Sequence, residues 1–168
     1  MTDARRPPPS RPAATHTWVR PRRGLPGVAL GLALLLAAGC TGPVRSEGVY
    51  ASKAASTARA AASAVQTAEL AVQQATGGRL FGRTLAQTLA EAASDAGDVQ
   101  ATFDAIQPPD GRADALRDQL DGLLAPAVSA LADLRTAARR GEVAALPRLA
   151  APLPKLAEAL QRFQKAHQ

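Results

Sequence analysis

Between Leu85 and Ile106 the apolar residues Leu85, Leu89, Ala92, Ala96, Val99, Phe103 and Ile106 recur at alternating steps of four and three. That spacing keeps one face of a helix apolar along the whole segment. A strand repeats every second residue and could not gather the same set on one side. A sustained average step of about 3.5 also selects helices that lie alongside one another with a shallow left-handed crossing, as in bundles. From Val49 onward, no run of β-branched or aromatic residues alternates with polar ones, so β and α/β folds are excluded.

The flanking segments fit the same architecture. Val49 to Ala75 contains neither Gly nor Pro, and Tyr50, Ala54, Ala58, Ala61, Val65, Ala68 and Val72 form its apolar seam. Because the seam is mostly alanine, it buries little area per residue and needs closely approaching partner helices. Gly77-Gly78 ends this helix. Pro108-Pro109-Asp110-Gly111 makes the next turn, since proline cannot continue a helical ladder and Asp110 can cap the helix that follows. A third stripe is Leu116, Leu120, Leu123, Ala127, Leu131 and Leu134, with Pro126 inside it and predicted to bend it against the Gly122 carbonyl. Arg139-Arg140-Gly141 is a stop signal: cations suit the negative helix end, and glycine can adopt positive φ. The tail carries Leu146, Leu149, Leu153, Leu156, Leu160 and Phe163, punctuated by Pro147, Pro152 and Pro154. It predicts a short helix, a proline-bent joint and a last helix from about 154 to 165. Short connections make successive helices antiparallel neighbours, so the expectation for residues 49–168 is one all-α domain, an up-down antiparallel four-helix bundle.

The first forty residues read differently. Met1 to Arg23 is rich in Pro and Arg and lacks a hydrophobic period, a composition expected to stay disordered. Leu25 to Ala38 then runs without a charge behind Arg20, Arg22 and Arg23, the order of an export signal whose cations stay on the cytoplasmic side. As a helix it would cover roughly 21 Å, too short for a hydrocarbon core of about 30 Å. Val19 would serve as an internal start giving a short charged region. Arg22-Arg23 reads as membrane-orienting charge, with twin-arginine export as the alternative.

The run ends in Leu36-Ala37-Ala38-Gly39-Cys40, which resembles the lipobox of bacterial lipoproteins: small residues directly before a cysteine. The resemblance covers Arg20 to Cys40 and none of the helical body. It implies cleavage between Gly39 and Cys40, a diacylglyceryl group with palmitate-type chains on the Cys40 thiol, and anchorage on the outer face of the cell membrane. The organisation it implies is an extension plus signal peptide over 1–39, a lipidated cysteine and tether over 40–48, and the helical domain over 49–168.

Charge separates along the same boundary. The chain carries 20 Lys+Arg against 14 Asp+Glu, a net +6. Six of those cations and one acid precede Cys40, so residues 41–168 carry 14 minus 13, or +1. The helical body therefore has no net field to concentrate nucleic acid or anionic lipid, and no nucleic-acid partner is expected. His16 lies in the leader and His167 is penultimate, so the interior of the body offers no imidazole for a triad or a metal cage, and Cys40 is the one cysteine. A serine nucleophile at Ser46, Ser52, Ser56, Ser63, Ser94 or Ser129 has only Lys53 as a nearby base. Tyr50, Phe81, Phe103 and Phe163 suit core or helix-end positions rather than stacking platforms. No catalytic residue, cofactor or metal is assigned.

Two charged groups remain. Asp110, Asp114, Asp118 and Asp121 share one side of the third helix, and Glu91, Asp95 and Asp98 share one side of the second. Antiparallel pairing is expected to bring Asp98 near Asp121; the plain reading of the set is a solvated flank, with oxygen ligation of a divalent cation as the alternative. Arg135, Arg139, Arg140 and Arg148 fit a helix C-terminal role first and a lipid-headgroup or acidic-partner role second. The functional expectation is a lipid-anchored envelope module that docks another envelope protein or itself. The alternative is a ligand-binding lipoprotein with a pocket opened between helices by Pro126 and the proline joint.

Overall fold

The structure, a computed structural model, describes residues 46–168. The leader, the signal segment, the bond after Gly39 and the lipidation site Cys40 lie outside the described residues. Five α-helices follow in order: α1 Glu47–Thr76, α2 Gly82–Asp104, α3 Gly111–Arg139, α4 Leu146–Ala150 and α5 Leu153–Ala166, with a 3-10 turn Val143–Ala145 before α4. No strand occurs among the described residues. The domain is an all-α helical bundle, as the periodicity predicts.

Local chemistry sets the helix ends. The Ser46 hydroxyl accepts from the Val49 N–H at 3.3 Å and caps α1. Asp110 caps α3 as expected, its Oδ1 accepting from the N–H groups of Arg112 and Ala113 at 3.1 Å each. Past the ends of α1 and α3, Gly78 (φ 70°) and Gly141 (φ 73°) take the left-handed conformation that a side chain disfavours. Pro154 occupies the second position of α5, where its missing N–H would have had no intrahelical acceptor.

The helix α1 lies against α2, α3, α4 and α5, and this central position explains its composition. All seven predicted seam residues are buried, and so are Ala55, Ala62, Ala64 and Ala71 beside them. A helix flanked on several sides needs small side chains in several directions. Alanine supplies them without loss of rotamer entropy. Bulk comes from the partners: Leu85, Leu89 and Phe103 from α2, Leu120, Leu124, Leu131 and Leu134 from α3, and Leu146, Leu153, Leu160 and Phe163 from the tail. These join the α1 alanines in one continuous core. No polar or charged residue other than Tyr50 is buried as a whole among the described residues. Ala55 apart, the buried residues form one cluster within the described residues.

In α3 the predicted stripe is corrected. Leu124 is fully buried, while Leu123 and Leu116 are half-buried on its flank. Leu120, Leu124, Ala127, Leu131 and Leu134 continue the four-three alternation, which holds one line of residues against α1 and α2. The helix runs unbroken through Pro126. Pro126 and Gly122 are both exposed, so the Gly122 carbonyl deprived of its donor faces water.

Contacts near the ends show which termini meet. Arg112 Nη1 is 3.8 Å from Glu47 Oε2, joining the starts of α3 and α1. The Tyr50 and Phe103 rings sit 5.3 Å apart, joining the start of α1 to the end of α2. His167, past the end of α5, lines a cleft with Glu47 and Arg112. All of these lie at the end where the described chain begins, called here the tether end. At the far end, Thr76 and Gly77 of α1 line a cleft with Pro147, Ala150 and Pro154.

Candidate functional site

At the tether end, Arg117 organises a polar cluster that spacing alone does not reveal. From the second turn of α3 its guanidinium donates to the carbonyls of Asp104 and Ile106, groups that the end of α2 leaves without helical partners. It also lies 4.0 Å from Asp104 Oδ1 and 3.8 Å from Asp121 Oδ2. The acid of α2 that neighbours Asp121 is therefore Asp104, with Arg117 between them. The expected neighbour Asp98 instead accepts a long 3.4 Å contact from Ser94 within its own helix.

Two polar atoms in this cluster are buried without a hydrogen-bond partner, the Tyr50 hydroxyl and Asp121 Oδ1. Burial raises the Asp121 pKa above the usual carboxylate value. Repulsion from Asp104 adds to the rise, and Arg117 works against it. Burial also raises the Tyr50 phenol, with Arg117 opposing and the surrounding aspartates assisting. Arg117 ties the end of α2 to α3 in this cluster. Its sequence signal was the i,i+4 pair of Arg117 and Asp121.

The remaining predicted site residues lie apart. Asp110, Asp114 and Asp118 on α3 and Glu91, Asp95 and Asp98 on α2 are exposed, and no group of three or more His, Cys, Asp or Glu among the described residues is placed to hold a metal ion. Lys53 and the serines Ser52, Ser56, Ser63, Ser94 and Ser129 are exposed on helix surfaces. His167 packs its ring 4.5 Å from that of Phe163.

The far end has different chemistry. Phe81, 84% exposed, projects from the turn between α1 and α2, and Leu70 (55%) and Val143 (45%) are the other large apolar residues exposed toward this end. Arg79, Arg83, Arg139, Arg140 and Arg148 belong to the segments at this end, as does the exposed acid Glu142, and none of these arginines forms an ion pair among the described residues. Arg79 donates to the neutral Gln74 Oε1 at 2.8 Å. The sequence predicts Phe81 in the core or at a helix end. It occupies the N-cap position of α2, where its side chain makes no cap hydrogen bond.

Clefts run over the surface between helices. One of about 430 Å³ separates α1 from α2, lined by Ser63, Thr67, Thr88, Glu91 and Asp95 over an alanine floor. Another, of about 460 Å³, opens at the proline joint beside Val72, Thr76, Pro147, Ala150 and Pro154. Pro147 and Pro154 line this second cleft, and Pro126 does not. Comparison with known proteins gives no matching family, no similar curated protein and no similar solved structure.

Proposed function

We propose that this protein is a lipid-anchored module of the bacterial cell envelope, exported and held on the outer face of the membrane through Cys40, and that its helical bundle acts by interaction and not by catalysis. The Leu36-Ala37-Ala38-Gly39-Cys40 sequence supports the anchor. The interaction reading rests on one observation: the far end of the bundle exposes Phe81 between Arg79 and Arg83 in sequence, and neither arginine forms an ion pair among the described residues. A large aromatic left in water gains by being covered, and cations without internal partners are free to set orientation and specificity.

Mass spectrometry of the mature N-terminus tests the anchor. A diacylated Cys40 as first residue is expected, and Cys40→Ser should move the protein from the membrane to the soluble fraction. An unmodified thiol, or a mature chain still beginning upstream of Cys40, would end the lipoprotein reading. Crosslinking in the native envelope tests the interaction, with adducts expected at residues near Phe81. The ligand-binding reading is favoured by the apolar cleft at the proline joint. A thermal-shift screen that found a stabilising metabolite, with the effect removed by Ala150→Trp, would replace the interaction reading with it.

A further inference from the structure

Arg117 has two sets of partners that compete for one guanidinium. Toward the end of α2 it donates to the carbonyls of Asp104 and Ile106 and lies 4.0 Å from Asp104 Oδ1. Within α3 its Nε lies 3.8 Å from Asp121 Oδ2, one helical turn on. The first set joins two helices, whereas the second is an i,i+4 pair that α3 makes with itself. Asp121 is the member whose charge has the least support. Its Oδ1 is buried with no hydrogen-bond partner, and 3.8 Å puts Oδ2 beyond hydrogen-bond reach of Arg117. Tyr50 faces the cluster from α1, and its buried hydroxyl also lacks a partner. Asp104 acts on Asp121 from α2 and Asp118 from the preceding turn of α3, while no charged group of α5 acts on it.

We propose that Arg117 and Asp121 form a proton-operated latch on the end of α2: a proton on Asp121 leaves the guanidinium to α2, and its loss draws the guanidinium along α3 and releases that end. A neutral carboxyl does not attract Arg117, so the Asp104 and Ile106 carbonyls and the Asp104 carboxylate keep it. An ionised Asp121 pulls on it with a full charge. The carbonyls at the end of α2 then turn to water, which the largely exposed turn 105–110 admits. Burial, with repulsion from Asp104, raises the Asp121 pKa, and Arg117 opposes the rise. The latched state therefore binds the proton more tightly than the released one. Its advantage is fully present below the ordinary carboxylate value near 4 and is lost as pH rises through the raised one. The moving part is small: Asp104 to Ile106 and the turn through Pro108 and Pro109 that leads into α3. The latch depends neither on lipid at Cys40 nor on the interaction reading above.

Amide hydrogen exchange of the full-length protein tests it, read by mass spectrometry at about pH 4 and about pH 7 and corrected for the intrinsic pH dependence of exchange. The Ala105 and Ile106 amides, which donate to the Ala101 and Phe103 carbonyls, report the end of α2. The Gly141 and Glu142 amides, which donate to Ala138 and Ala137, report the far end. Protection in peptides spanning Ala105 and Ile106 is expected to fall about two- to fivefold from the lower pH to the higher, the scale of one partly exposed ion pair. Protection at Gly141 and Glu142 should stay constant. Asp121→Asn, neutral at both pH values, should hold the high protection throughout. Arg117→Gln should show low protection throughout, with circular dichroism confirming that its helices persist. If that variant unfolds, Asp121→Asn decides alone. Equal protection at the two pH values, an equal change at both ends of the bundle, or a pH response kept by Asp121→Asn would overturn the latch. So would protection that falls toward low pH, which would make Asp104 the controlling carboxylate.

Discussion

Replacing Tyr50 with phenylalanine isolates one hydroxyl at the tether end of the core. The tyrosine is fully buried, its ring lies 5.3 Å from that of Phe103, and its hydroxyl has no hydrogen-bond partner. Tyr50→Phe keeps the ring and its packing. Burying an unpaired hydroxyl costs about 1 to 3 kcal/mol. Removing the oxygen also forfeits a few dispersion contacts, about 0.5 kcal/mol together. The net expectation is a gain of roughly 1 kcal/mol, which for a domain of this size raises the thermal midpoint by about 3 to 5 °C. Urea and thermal melts of residues 46–168 measure it. A loss of about 1 kcal/mol or more would refute the reasoning, because it would mean that the hydroxyl is bonded in solution.

The neighbouring carboxylate adds a pH dependence. Burial, with repulsion from Asp104, holds the Asp121 pKa above its unfolded value. The folded state therefore binds the proton more tightly, and stability falls as pH rises from the unfolded value near 4 through the raised folded one. Asp121→Asn should accordingly be close to neutral at about pH 3 and stabilising at pH 7. The opposite order would show that the attraction of Arg117 outweighs burial.

Three further outcomes follow from packing and capping. Leu89→Ala should cost about 2 to 5 kcal/mol in denaturant melts, whereas the exposed Asp95→Ala should stay within about 0.5 kcal/mol. Leu124→Ala should cost more than Leu123→Ala, and a reversed order in the same melts would move the α3 face by one residue. Asp110→Ala should cost about 1 kcal/mol through loss of the two cap hydrogen bonds, measured by the same melts and by reduced helical dichroism.

What could be read from the sequence is what neighbouring residues control. The seam of α2, the alanine line of α1, the Asp110 cap, the left-handed Gly141 and the proline-bent tail all depend on interactions within a few residues of each position. Helical period and turn chemistry are therefore visible before any fold is known. The lipobox resemblance is likewise a local pattern.

Other features required the helices to be placed against one another. Leu123 and Leu124 both lie near the apolar side of α3, and only the line of contact with α1 and α2 decides which is covered. Asp121 neighbours Asp104 and not Asp98 because Arg117 reaches across to the end of α2 and holds the two helices there. Nothing in the spacing of the acids encodes that reach. The far end shows the same limit most clearly: Phe81 with Arg83, Arg139 with Arg140, and Arg148 come from three stretches of chain with no common motif. Helix direction brings them to one end, and the charge of that end is a sum over neighbours in space that a pattern along the chain cannot express.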